Sequence, residues 1–104
     1  MALPEFEKRR LLARYDDWAS LPAMALEMLA AGDDTPFLWT KASSDSPYAS
    51  WSHDDVRRKI LALAHGLIAL GLKPGERVVL ASENRPEWLI ADTAVMLAGG
   101  VTVP

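Results

Sequence analysis

Cysteine is absent from the 104 residues, which excludes disulfide bonds, thiolate metal sites and a cysteine nucleophile. No apolar run approaches the roughly 18 residues that a membrane-spanning helix needs, and the N-terminus lacks the basic-then-apolar order of a signal peptide. The formal net charge of −3 provides no electrostatic basis for holding nucleic acid. These absences predict a cytoplasmic protein with no transmembrane segment and no nucleic-acid partner.

A glycine-rich loop that could cradle phosphate is also missing. Such loops follow a strand and open a helix, whereas Gly99-Gly100 follows a predicted helix. The strand-to-helix junction at residues 81–86 contains no glycine, carries an acidic side chain and ends in a proline, which lacks an N–H. We therefore expect no nucleotide site there. Arg85 could meet an anion, but pairing with a nearby carboxylate is the favoured interpretation.

Two histidines are the usual candidates for a general base or a metal ligand. His53 stands at a predicted helix entrance and His65 on the solvent face of the same helix, so surface or capping roles are predicted for both. Asp54 and Asp55 are adjacent and point apart on a helix, so they do not form a catalytic pair; the helix dipole explains them. The sequence thus offers no catalytic, cofactor-binding or metal-binding residue.

Residues 1–19 are predicted to be an N-terminal arm or short helix. Three apolar side chains recur there at helical spacing: Leu11, Tyr15 and Trp18. A surface helix packed on its own protein is preferred to a membrane-surface anchor.

Between residues 20 and 51 the pattern predicts a helix and a β-hairpin. Ser20 is a good N-cap, and Gly32 supplies a stop. Residues 37–40 and 48–51 are short strand signals, and the polar stretch between them predicts a turn.

The clearest helix follows Ser52, a good N-cap residue. Gly71 ends this helix, and Leu72 is positioned for the hydrophobic contact of a Schellman cap. Its main apolar face carries Val56, Ile60, Leu63, Ala64 and Leu67. A second apolar stripe, at the flank, carries Leu61 and Ile68. The four tryptophans and Tyr48 are interpreted as core or interface residues.

The last 27 residues predict a βαβ unit. Residues 78–81 form an apolar run typical of a parallel strand covered on both faces. A helix opens at Pro86 and is apolar on nearly every side up to residue 98, which implies a second layer of protein. Residues 101–103 then begin a strand that should be parallel to the first, with a right-handed crossover. The fold class is α/β.

The chain stops as it enters that strand, so we expect the truncated start of a layered, partly parallel sheet domain. Residues 88–98 should be unable to bury all their apolar sides in about a hundred residues, and residues 101–103 should leave an open sheet edge. Self-association into a symmetric dimer is the expected result. Lysine at Leu97 or Met96 should weaken the dimer more than it harms folding.

Five short motifs carry a resemblance to a known family. They are Ser50-Trp51-Ser52, Leu63-Ala64-His65-Gly66-Leu67, Leu70-Gly71-Leu72-Lys73-Pro74-Gly75-Glu76-Arg77-Val78, Glu83-Asn84-Arg85-Pro86-Glu87-Trp88 and Ala98-Gly99-Gly100-Val101-Thr102-Val103-Pro104. In this order they resemble the opening of AMP-forming acyl-CoA synthetases, which belong to the adenylate-forming superfamily. The Asn-Arg-Pro-Glu-Trp form is most similar to the long-chain fatty-acid members. Glu76 stands where aspartate is commoner.

The resemblance implies that residues 20–104 begin the large N-terminal domain of an ATP-dependent acyl-CoA ligase. Such an enzyme uses ATP, Mg²⁺ and CoA, and it activates a carboxylic acid, here a fatty acid, as an acyl-adenylate before transfer to CoA. The family's phosphate loop and catalytic lysine match nothing in this sequence, so no catalytic residue is carried over. The chain alone is predicted to be inactive and to bind no ATP. The alternative is a non-enzymatic α/β module used for assembly or binding.

Overall fold

The computed structural model describes residues 4, 5 and 19–104. Its elements are α1 (Leu21–Gly32), β1 (Pro36–Thr40), β2 (Ala49–Ser52), α2 (His53–Ala69), β3 (Arg77–Val79), α3 (Pro86–Leu97) and β4 (Val101–Val103). The predicted α/β class is confirmed. The arm or short helix predicted for residues 1–19 lies outside the described residues, apart from positions 4, 5 and 19.

Helix α1 begins as its sequence predicts. The Ser20 hydroxyl accepts a hydrogen bond from the Ala23 N–H at 3.2 Å, and Pro22 occupies the first turn, where its missing N–H costs little. The helix ends at Gly32, but the backbone turns through positive φ one residue later, at Asp33 (φ 49°). Aspartate tolerates positive φ better than most side chains, so the stop does not rely on glycine's conformational freedom.

The predicted hairpin is present as an antiparallel pair of strands. Thr40 pairs with Ala49 next to the turn and Pro36 pairs with Ser52 at the far end, with a register shift between residues 36 and 38. Leu38 and Trp51 are half-buried against the core. The hairpin therefore covers the helices with one side and leaves its other side in solvent.

Helix α2 has both of the predicted caps. The Ser52 hydroxyl accepts from the Asp55 N–H at 3.0 Å, while the Asp55 carboxylate accepts from the Ser52 N–H at 3.3 Å, which completes a capping box. At the other end Gly71 (φ 101°) donates to the Ile68 carbonyl, and Leu72 donates to the Leu67 carbonyl, both at 3.0 Å. This pair of hydrogen bonds is the predicted Schellman motif.

One core joins helices α1, α2 and α3. Its buried members come from all of them: Leu29 of α1, Val56, Ile60 and Ala64 of α2, and Ile90, Ala94 and Ala98 at α3 and its C-terminal cap. On the apolar face predicted for α2, Leu67 is half-buried and Leu63 is 38% exposed. The flanking stripe is divided in the same way, with Leu61 half-buried and Ile68 exposed.

Strands β3 and β4 are adjacent and parallel, and α3 connects them, as the βαβ prediction requires. Val78 lies opposite Thr102, and the Leu80 N–H extends the ladder by donating to the Val103 carbonyl at 2.9 Å. Gly100 lets the strand approach the helix closely. A methyl group added there would lie 3.1 Å from a Val95 methyl carbon and 3.3 Å from the Glu76 carbonyl oxygen.

Two predictions about burial are wrong. The strand at 78–81 is not covered on both faces, because Val79 is 75% exposed and its neighbour Val103 on the adjacent strand is exposed as well. Helix α3 is better covered than expected, because it packs against α1, α2, β1 and β4. Only Leu89 among its large apolar side chains is exposed, and Leu97 packs against the core. Lysine at Leu97 would therefore disturb folding rather than a free surface.

Candidate functional site

The segment between β3 and α3 is the first place to look for a site. It carries the Glu83–Trp88 motif and lies beyond the carboxyl end of a parallel strand, where ligands of α/β sheets usually bind. Pro86 is the first residue of α3, and Arg85 is the N-cap, with extended backbone and no side-chain capping hydrogen bond. The Trp88 N–H donates to the Arg85 carbonyl at 3.0 Å, which closes the first turn.

The formal charge of this junction is negative, because Glu83 and Glu87 outnumber Arg85. Arg85 Nε lies 2.9 Å from Glu87 Oε2, so the guanidinium pairs with a carboxylate, as predicted. Both side chains are about half exposed, and such a pair stabilises a protein by at most about 1 kcal/mol. The carboxylate also occupies the helix N-terminus, where an anion would otherwise be favoured. The junction is thus stabilised by its own hydrogen bond and ion pair, and it has no free positive charge to attract a phosphate.

A cleft of about 440 Å³ separates this junction from the hairpin. It is lined by Leu38, Trp39, Asn84, Arg85, Pro86, Trp88 and Leu89. Trp39 is 57% exposed, so it belongs to this open surface rather than to the core. No local pattern in the sequence indicated that Trp39 and Trp88 line one cleft, because they lie 49 positions apart and only the packing of β1 on α3 brings them together.

His53 connects the start of α2 to the loop after α1. Its Nδ1 lies 2.8 Å from the Thr35 carbonyl oxygen and 3.0 Å from Thr35 Oγ1, and its backbone N–H donates to the same carbonyl. The ring centroid lies 4.7 Å from that of Phe37. These contacts give His53 the structural role at the helix entrance that the sequence predicted. His65 is exposed, also as predicted.

The two aspartates at the start of α2 are committed to arginines. Arg58 contacts both, with Nε 3.2 Å from Asp54 Oδ2 and Nη2 2.9 Å from Asp55 Oδ1, and Arg57 lies 3.0 Å from Asp54. Hydrogen bonds from the Ser52 backbone and hydroxyl, assisted by Arg58, hold the pKa of Asp55 below its usual 3.8. A carboxylate held in its charged form suits a cap and not a general acid.

Residues 4, 5 and 19–104 contain neither a metal-binding cluster nor a membrane-spanning helix. No group of three or more histidine, aspartate or glutamate side chains is arranged to hold a metal ion there. No helix in that part of the chain is long and apolar enough to cross a membrane.

The fold and the junction together define the chain as an α/β unit. It consists of a hairpin, a helical core and a parallel βαβ crossover, and the Glu83–Trp88 motif lies at the strand-to-helix turn of that crossover. The family model for AMP-binding enzymes matches residues 29–104. The chain belongs to this family, within the adenylate-forming superfamily, and the resemblance stated from the motifs is confirmed.

Curated relatives are similar over part of the chain. The long-chain-fatty-acid–CoA ligase FadD15 of Mycobacterium tuberculosis is 38% identical over 72 residues, which cover 69% of this chain and 12% of the relative. The feruloyl-CoA synthase of an Amycolatopsis species is 38% identical over 53 residues, covering 51% of this chain and 11% of the relative. The chain therefore spans only a small part of the length of these proteins.

Solved structures share the fold. The fatty acyl-adenylate ligase from Legionella pneumophila, in complex with acyl adenylate and pyrophosphate, superposes with a TM-score of 0.68 at 24% identity, covering 88% of this chain and 16% of that one. ATP-bound MatB from Rhodopseudomonas palustris gives 0.53 at 26% identity, covering 77% and 16%.

Proposed function

We propose that residues 20–104 begin the large N-terminal domain of a cytoplasmic, ATP-dependent acid–CoA ligase. The whole enzyme activates a carboxylic acid, a long-chain fatty acid in this proposal, as an acyl-adenylate and transfers the acyl group to CoA. The observation that carries this proposal is the 38% identity with a long-chain-fatty-acid–CoA ligase, supported by the family match over residues 29–104. ATP, Mg²⁺ and CoA are the cofactors of that reaction.

The described residues do not fit the triphosphate of ATP. A phosphate site needs converging backbone N–H groups and net positive charge, whereas the β3–α3 junction has Pro86, no glycine and an Arg85–Glu87 pair that neutralises itself. No reaction step is therefore derived through residues of this chain. Their proposed contribution is structural: the core and the βαβ unit form one corner of the domain.

A segment exchange tests this contribution. The stretch of FadD15 that matches this chain is replaced by its counterpart here, and formation of long-chain acyl-CoA is measured. We expect the exchanged enzyme to fold and to keep forming acyl-CoA, because cores tolerate many simultaneous hydrophobic substitutions when the total volume and the apolar pattern are kept. Aspartate at buried Ile60 should abolish activity, whereas aspartate at exposed Ile68 should be tolerated. A folded exchange enzyme without activity would contradict the proposal.

We also propose that the isolated chain is inactive, and two assays on this chain test that. Calorimetric titration with Mg-ATP should give no saturable heat at millimolar nucleotide, and a mixture of the chain with Mg-ATP, a fatty acid and CoA should release no pyrophosphate. A one-to-one isotherm in the micromolar range would mean that a nucleotide site exists in this chain.

A further inference from the structure

A half-open cavity of about 190 Å³ lies between the three helices and the first strand. Its lining residues are Met24, Ala25, Met28, Leu29, Phe37, His53, Val56, Ile60, Leu89 and Thr93. Val56 and Ile60 are fully buried, whereas Met28, Phe37 and Leu89 are exposed. The cavity thus has a closed apolar floor formed by α2 and an apolar rim that opens to solvent.

Two polar groups of the lining side chains, the Nδ1 atom of His53 and the hydroxyl of Thr93, have hydrogen-bond partners of their own. His53 Nδ1 lies within hydrogen-bond distance of the Thr35 carbonyl, and the Thr93 hydroxyl donates to the Leu89 carbonyl at 2.8 Å. A bound water needs two to four polar partners, and an apolar cavity without them stays dry and takes apolar guests. The chemistry of the lining therefore selects a hydrocarbon group.

The volume sets the size of that group. An apolar cavity of about 150 Å³ holds one benzene molecule, with its six carbons. On the same scale a cavity of 190 Å³ holds roughly seven or eight carbon atoms. Met24 and Met28 add adaptability, because unbranched thioether side chains adjust to irregular guests.

We propose that this cavity is a binding site for an alkyl group of about seven carbons, with any polar head group left in water at the open rim. The proposal stands apart from the ligase function, because it depends only on the walls of the cavity. Of the residues that line the cleft beside the β3–α3 junction, only Leu89 also lines this cavity. It assigns to α1 and the hairpin a ligand-binding role besides packing.

A chain-length series of primary alcohols, from 1-butanol to 1-decanol, tests the proposal on the whole 104-residue chain. Binding is followed by the methyl NMR signals of Met24 and Met28. Affinity should rise about fourfold for each added methylene, as expected for burial of apolar surface, and should level off near seven carbons. Absence of a saturable shift would overturn the proposal. A steady rise through 1-decanol would also do so, because it indicates partition onto the surface.

Matched variants locate the site. Ala25→Leu fills the cavity and should weaken 1-heptanol binding at least tenfold, whereas Ala30→Leu, on the exposed side of the same helix, should leave it unchanged. Where Ala25→Leu does not fold, Met28→Trp blocks the exposed rim and provides the same comparison. Equal affinity of Ala25→Leu and Ala30→Leu for 1-heptanol would refute the assignment. A wild-type chain without a cooperative thermal transition would also refute it, because a chain that does not fold has no cavity.

Discussion

Gly32, the last residue of α1, should be intolerant of alanine because of one neighbouring ring. A methyl group built on Gly32 would overlap the Cγ and Cδ2 atoms of the His53 ring. The ring cannot move away freely, because Nδ1 contacts Thr35 and the ring face packs near Phe37. The backbone itself accepts alanine, since Gly32 is helical. The steric contact alone therefore decides the sign of the effect.

The magnitude follows from two opposing effects. Alanine in place of a helical glycine stabilises by roughly 0.5–1 kcal/mol in open space, whereas overpacking a tight contact costs about 1–3 kcal/mol. Gly32→Ala should therefore lower the free energy of unfolding by about 1–2 kcal/mol. Gly66→Ala is the matched control, because nothing lies within 4 Å of a methyl group there, and it should be neutral or stabilising.

A double-mutant cycle with His53→Ala separates this contact from other causes. Equilibrium urea unfolding of the four proteins provides the coupling energy, which should be about 1–3 kcal/mol. With the ring removed, Gly32→Ala should become neutral or stabilising. The reasoning fails if Gly32→Ala behaves like Gly66→Ala, or if removal of the His53 ring leaves the penalty unchanged.

Four further predictions concern stability and association. Thr102→Val should stabilise the chain by about 1 kcal/mol in urea unfolding, because the buried Thr102 hydroxyl has no hydrogen-bond partner among the described residues. Asp55→Asn should destabilise at pH 7. Because the folded pKa of Asp55 lies below 3.8, the wild-type advantage is present above that pH and should fade as pH falls further, in melts from pH 7 to 2. Leu80→Asp should sharply lower the melting temperature of the monomer, whereas Val79→Asp, on the exposed face, should change it little. Equal effects on the monomer would contradict the alternation of half-buried and exposed residues from 78 to 80. Self-association stays a prediction, now through the exposed apolar face of the β3–β4 sheet that carries Val79, Val101 and Val103. Sedimentation equilibrium should find a dimer that Val79→Lys weakens, and a wild type that is monomeric at tens of micromolar would refute it.

Some features of the candidate site could be predicted from the sequence and others could not. The pairing of Arg85 with a carboxylate could be predicted, because Glu87 is only two residues away and the contact does not depend on how distant parts of the chain pack. The cleft that combines Trp39 with Trp88, and the cavity behind Phe37, could not. Each depends on how the hairpin packs onto the helices, which no local pattern encodes.

Sequence by itself determined the features that depend on a few neighbouring residues. Ser20 and Ser52 cap their helices, Gly71 forms the Schellman motif, and the strand–helix–strand order of the last 27 residues folds as a parallel unit. In each of these the interacting backbone and side-chain groups lie within a few positions, or the connection is too short for another pairing.

Tertiary structure alone decided which apolar residues are covered. Val79 and Leu97 both belong to apolar runs, yet Val79 faces solvent and Leu97 faces the core. It also decided why Gly32 is glycine: the sequence indicated a helix stop, whereas the structure brings the His53 ring against it. Burial and close approach depend on which elements lie opposite one another, and those partners are distant in the chain.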